Sequence, residues 1–65
     1  METIKDDWRD AHNASVRLEE QGNFRGALSF AVDAALYIDE RVLPESAAML
    51  RHRVEMLKAK VRDAR

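Results

Sequence analysis

The side chains of this chain that could take part in chemistry are two histidines, a cluster of aspartates and three scattered serines. A zinc site needs three or four converging ligands, but His12 and His52 lie on different predicted helices and there is no cysteine to join them. Asp6, Asp7 and Asp10 cluster where a helix begins, and a helix N-terminus favours carboxylates without any ligand. The serines have no base beside them in the sequence. We therefore predict no enzymatic activity, no cofactor and no bound metal; a site made of both histidines and one carboxylate is the alternative.

Length and composition limit the kind of protein further. The chain has 65 residues and no cysteine, so we expect one domain, 1–65, without disulfides. A chain of this size buries only about 60% of its unfolded surface, so its stability must come from a well-filled helical core, from oligomerisation or from a longer protein. The sequence contains no run of about 18 apolar residues, so we predict no membrane span. The N-terminus lacks the features of a signal peptide, and we expect a cytoplasmic location.

The net charge of −1 conceals an uneven distribution. The segment up to Gln21 is acidic and the segment from Pro44 onward is basic. Part of this pattern complements the dipoles of helices that begin and end there. The rest predicts a basic surface that attracts an acidic partner, with an acidic amphipathic helix favoured. Nucleic acid is not expected as a partner, because the basic residues of the last segment are spread around the predicted helix.

Apolar residues recur at spacings of three and four in three segments, which predicts helices over about 3–21, 24–41 and 44–64. Gly22 can end the first helix in the left-handed conformation, and Asn23 can cap the second. Pro44 suits the first turn of the third helix. Short links favour antiparallel neighbours, so we predict an all-α, three-helix, up-down-up bundle. The apolar positions are Ile4, Trp8, Ala11, Ser15 and Leu18; Phe24, Ala27, Leu28, Ala31, Ala34, Ala35, Ile38 and Val42; and Ala47, Leu50, Val54, Leu57, Val61 and Ala64.

Helices 2 and 3 carry further apolar residues outside these stripes. Val32 and Leu36 widen the stripe of helix 2 on one side. The aromatic pair Phe30 and Tyr37 widens this stripe on the other side. Helix 3 carries the methionine pair Met49 and Met56 beside two basic residues. If these last flanks face each other, they form a shallow groove that could accept an amphipathic helix, because methionine repacks easily. Completion of the core and self-association are the alternatives. The residues predicted to bind a partner are Phe30, Tyr37, Met49, Arg53, Met56 and Lys60.

The turn between helices 1 and 2 resembles that of a tetratricopeptide helix pair. Gly22, Phe24, Ala27 and Ala34 match that pattern, whereas Ala11 stands where the family has tryptophan. The resemblance implies a tetratricopeptide-like first hairpin.

The length and layout also resemble an MIT (microtubule interacting and trafficking) domain, a three-helix module. The typical turn of that family, Gly-Asn-Tyr followed by Ala-Leu, is similar to 22–24 followed by 27–28, and 43–47 resembles the third-helix opening of archaeal members. The resemblance implies a non-catalytic adaptor that binds short motifs of ESCRT-type filament subunits in grooves flanking the third helix. A small self-associating bacterial or phage protein, including a regulator, is the alternative.

Overall fold

A computed structural model describes residues 7–64, which form three α-helices. Helix α1 spans Asp7–Glu20, α2 spans Phe24–Tyr37 and α3 spans Pro44–Asp63. Both α1 and α3 pack against α2, which is therefore the central helix. This arrangement confirms the predicted all-α three-helix bundle. The predicted start of helix 1, between residues 3 and 6, lies outside the described residues.

The turn between α1 and α2 has the conformation that its sequence predicts. Gly22 has a φ of 81°, and its N–H donates to the carbonyl of Glu19 at 3.0 Å. The N–H of Asn23 donates to the carbonyl of Leu18 at 2.8 Å, which completes a Schellman motif. The side chain of Asn23 then accepts the N–H of Gly26 at 3.0 Å and caps α2. One short segment therefore ends one helix and begins the next.

Helix α2 is shorter than its sequence pattern indicates. The pattern predicts a helix to Arg41, but α2 ends at Tyr37. Ile38 has an extended backbone with a ψ of 141° and is buried in the core. The carboxylate of Asp39 accepts the N–H of Arg41 at 3.0 Å, so a turn replaces the next helical hydrogen bonds. Val42 consequently leaves the predicted apolar stripe and is 69% exposed.

Helix α3 begins at Pro44, as predicted, because the missing N–H of proline costs no hydrogen bond in the first turn. The N–H of Ala47 donates to the carbonyl of Leu43 at 3.0 Å, which starts the helical pattern. At 20 residues, α3 is the longest of the three helices. Within residues 7–64, no helix is both long enough and apolar enough to cross a membrane.

The core consists of two apolar clusters with a buried polar group between them. The residues of α2 that are buried within the helix are the small side chains Ala27, Ala31 and Ala34. Ser15, which is completely buried, lies on α1 between the positions that contact the two clusters. The buried members of the first cluster are Ala11, Ala34, Ile38, Ala47 and Leu50, and those of the second are Ala27, Ala31 and Leu57. Trp8 and Ala35 pack on the first; Leu18, Phe24, Leu28 and Val54 pack on the second.

Candidate protein-binding surfaces

The two aromatic residues of the predicted surface lie where α2 meets α1. Phe30 and Tyr37 line a depression together with Asp10, Ala11 and other residues of these two helices. Their side chains are well exposed, at 40% for Phe30 and 57% for Tyr37. We call this depression the α1/α2 depression.

Arg53 of α3 contacts α1 and is largely buried. Its Nη2 donates to the hydroxyl of Ser15 at 2.9 Å, and its Nη1 lies 3.0 Å from Oε1 of Glu19. The side chain is only 16% exposed. The hydroxyl of Ser15 in turn donates to the carbonyl of Ala27 at 2.7 Å. Arg53 therefore joins α3 to α1. Its position in the sequence suggested a free base at the rim of a groove, and the structure does not show this role.

Glu19 holds two bases of α3 at once. Its Oε1 pairs with Arg53, and its Oε2 accepts a 3.0 Å hydrogen bond from Nζ of Lys60. The bond from Lys60 is the largest cause that lowers the pKa of Glu19; burial opposes this effect, and the bond and charge of Arg53 reinforce it. Nζ of Lys60 also lies 5.4 Å from the ring centroid of Phe24, within cation–π distance. The charge of Lys60 is thus mostly satisfied within the protein.

The structure does not bring the six predicted residues into one surface. Asp10, in the α1/α2 depression, and Glu19, which pairs with Arg53 and Lys60, are about two and a half turns apart and so lie on opposite sides of α1. Met49 and Met56, exposed at 43% and 39%, share the face of α3 that carries the two bases. Phe30 and Tyr37 thus lie in a different depression from this methionine pair, and the condition under which the sequence predicts a single shallow groove is not met. Helical spacing places residues on flanks, but the handedness of the bundle decides which flanks meet.

The two histidines are in different environments. His12 is half-buried, and its pKa is lowered first by that burial and then by the positive charge of Arg53. Its Nδ1 is buried without a hydrogen-bond partner among the described residues. His52 is exposed on α3. Within residues 7–64, no group of three or more His, Asp or Glu side chains is positioned to hold a metal ion.

A groove between α2 and α3 has a largely apolar lining. It has a volume of about 500 Å³, and we call it the α2/α3 groove. Leu36 is 74% exposed there and Val32 is 37% exposed, although both are large aliphatic side chains. At one end, Nη1 of Arg51 lies 2.7 Å from Oε1 of Glu40. The lining residues are Val32, Ala35, Leu36, Glu40, Arg51, Val54 and Glu55.

In the sequence, Val32 and Leu36 widen the apolar stripe of helix 2 and are not among the residues predicted to bind a partner. The available signal was that the sequence of α2 is apolar over more than half of its circumference. In the structure, Val32 and Leu36 on this flank remain exposed beside Val54 of α3.

Comparison of the chain with protein-family models, with characterised proteins and with solved structures finds no match.

Proposed function

We propose that this protein is a non-catalytic interaction module whose α2/α3 groove binds a short amphipathic segment of a partner protein. The observation that carries the proposal is the exposure of Leu36 and Val32 beside half-buried Val54. Val32 and Leu36 are four residues apart and so lie one above the other on α2. An amphipathic helix presents its apolar anchors at the same spacing, and a groove between two helices is a common site for such a segment.

The charges along this groove favour an acidic segment. Arg25 lies about two turns before Val32 on α2, where it lines a second depression of about 220 Å³ with Val61 of α3. Arg25 makes no ion pair within residues 7–64, whereas Glu40 and Glu55 are paired with Arg51 and Lys58. The carboxylates of the groove are thus paired, and Arg25, beyond the groove toward the start of α2, carries a positive charge without an ion pair among the described residues. Acidic residues at one end of a bound helix would meet it.

The resemblance to MIT domains supports the same conclusion, since members of that family bind short motifs in grooves that flank their third helix. The tetratricopeptide-like turn at Gly22 and Asn23 supports a scaffold role for the first hairpin. If the resemblance holds, the partner is an ESCRT-type filament subunit and the protein acts as an adaptor in the cytoplasm.

Binding of a synthetic acidic amphipathic helix tests the proposal. We expect a peptide with leucines at spacings of three and four and glutamates between them to shift the amide NMR signals of Val32, Leu36 and Val54. A scrambled peptide of equal charge should not do so. Leu36→Asp should abolish the shifts and leave the fold intact, because this side chain is mostly exposed. Met56→Asp is the matched control on the opposite flank of α3.

The outcome separates this proposal from the surface that the sequence predicted. Loss of binding in Met56→Asp but not in Leu36→Asp would overturn the assignment to the α2/α3 groove and support the methionine face. Unchanged binding in both variants would remove both surfaces from consideration.

Self-association is a second candidate function, favoured by the exposure of Leu36 and Val42, at 74% and 69%. Exposed aliphatic residues on so small a domain are typical of a surface that another copy covers. Sedimentation velocity over a range of concentrations tests this candidate. A monomer at all concentrations would rule it out, and a dimer that Leu36→Asp dissociates would support it.

A further inference from the structure

The α1/α2 depression lies on the side of the molecule that neither the α2/α3 groove nor the Glu19 ion pairs occupy. It has a volume of about 320 Å³ and is formed where the first half of α1 packs beside the second half of α2. Two exposed aromatic rings of α2, Phe30 and Tyr37, form its apolar part. Nothing among residues 7–64 covers these rings.

The polar part of the depression has one sign of charge. Asp33 lies on α2 between the two aromatic residues in sequence, and Asp7 and Asp10 come from α1. Within residues 7–64, none of the three carboxylates takes part in an ion pair.

Two arginines of the chain, Arg9 and Arg41, make other contacts. The guanidinium of Arg9 lies 5.4 Å from the ring centroid of Trp8, and Arg41 is paired with Asp39. The described chain therefore does not neutralise this surface itself.

Exposed aromatic rings bordered by carboxylates suit one kind of side chain in particular. Arginine has an apolar stem that can cover an aromatic ring and a planar guanidinium that stacks on the ring face. The same guanidinium can donate two parallel hydrogen bonds to a carboxylate. Phe30 and Tyr37 provide the rings, and Asp33 provides a carboxylate between them.

We propose that the α1/α2 depression is a second interaction surface, which binds an arginine side chain presented by a segment of a partner protein. This inference goes beyond the proposed function, because it concerns a different face of α2 and a partner feature of opposite charge. The exposed rings and the complementary charge carry it together, and it does not depend on occupancy of the α2/α3 groove.

The experiment uses a minimal probe and its uncharged counterpart. The ¹⁵N-labelled full chain is titrated with acetyl-leucyl-arginine amide and with acetyl-leucyl-citrulline amide, which has the same shape without the charge. We expect the arginine peptide to shift the amide signals of Ala11, Phe30, Asp33 and Tyr37. The citrulline peptide should bind at least about threefold more weakly, since it lacks the ion pair and the cation–π contact.

Two variants make the result specific to this surface. Asp33→Asn should weaken binding of the arginine peptide about two- to fivefold, whereas Asp63→Asn, an exposed aspartate of α3, should leave it unchanged. Equal binding of the two peptides, or equal weakening in the two variants, would overturn the proposal. Shifts at the same amides that grow with protein concentration before peptide is added would assign the surface to a second copy and also overturn it. Leu36→Asp should not alter this titration, so failure here is distinguishable from failure of the proposed function.

Discussion

The guanidinium of Arg53 donates a 2.9 Å hydrogen bond to the hydroxyl of Ser15, a residue 38 positions earlier in the chain. On α3, Arg53 lies between Leu50 and Leu57, which belong to different core clusters. The contact therefore crosses the core where its two apolar parts meet. Because Ser15 also donates to the carbonyl of Ala27, one hydroxyl connects all three helices. Buried polar contacts of this kind cost stability when one partner is removed.

Replacement of Arg53 should destabilise the fold more than replacement of an exposed basic residue of α3. Arg53→Met removes the bonds to Ser15 and Glu19, and we expect the free energy of unfolding to fall by about 1–2 kcal/mol. Arg53→Lys should not restore it, because one ammonium group cannot reproduce the two-nitrogen fork. Urea denaturation followed by circular dichroism measures both variants. Arg51→Met, which breaks an exposed pair, should change the free energy by less than about 1 kcal/mol.

A double-mutant cycle identifies the source of the Arg53 effect. If the hydrogen bond to Ser15 carries much of it, Ser15→Ala and Arg53→Met should be coupled by about 0.5 kcal/mol or more. Strict additivity would show that the bond to Ser15 contributes little to the effect of Arg53.

Stability at acid pH should depend on Glu19. The bond from Lys60 lowers the pKa of Glu19 below its ordinary value of 4.5. The carboxylate of Glu19 therefore binds a proton more tightly in the unfolded chain than in the folded protein. Its contribution to the free energy of unfolding is complete above pH 4.5 and is lost as the pH falls through the lower pKa of the folded state. Glu19→Gln should flatten the decline in melting temperature between about pH 5 and 2. Glu20→Gln, which removes an exposed neighbouring carboxylate, is the matched control.

The free energy of unfolding should also decrease at mildly acidic pH because of His12. Burial and the charge of Arg53 lower the pKa of His12 below 6.5. The folded protein therefore resists this protonation, and stability decreases as the pH falls from 6.5 through the folded pKa. NMR titration of the imidazole ring of His12 checks the direction. A midpoint above 6.5 would contradict the burial and the proximity of Arg53.

The first turn makes a prediction about backbone conformation. Gly22 has a φ of 81°, although a β-carbon there would meet no atom within 4 Å. Gly22→Ala should therefore destabilise by about 1–2 kcal/mol through backbone strain without any steric clash. Gly22→Asn should cost less, since asparagine tolerates the left-handed region. Thermal denaturation of the two variants measures the difference, and equal melting temperatures would contradict it.

The sequence by itself was enough to locate the three helices and the first turn. Gly22, Asn23 and Pro44 act through backbone geometry and hydrogen bonds within a few residues, so their effect can be predicted without knowledge of the rest of the chain. The apolar stripe of α2 likewise follows from the spacing of its residues. The end of α2 was predicted less well, because Ile38 enters the core and Asp39 starts a turn where the apolar pattern continues.

Only the tertiary structure decided which flanks of the helices meet. Helical spacing is the same for either handedness of a three-helix bundle, so it could not show that Phe30 and Tyr37 lie beside α1, away from Met49 and Met56. It also could not show that Arg53 pairs with Ser15. That contact joins residues far apart in the chain, and its energy depends on burial that arises only when α1 and α3 pack on α2.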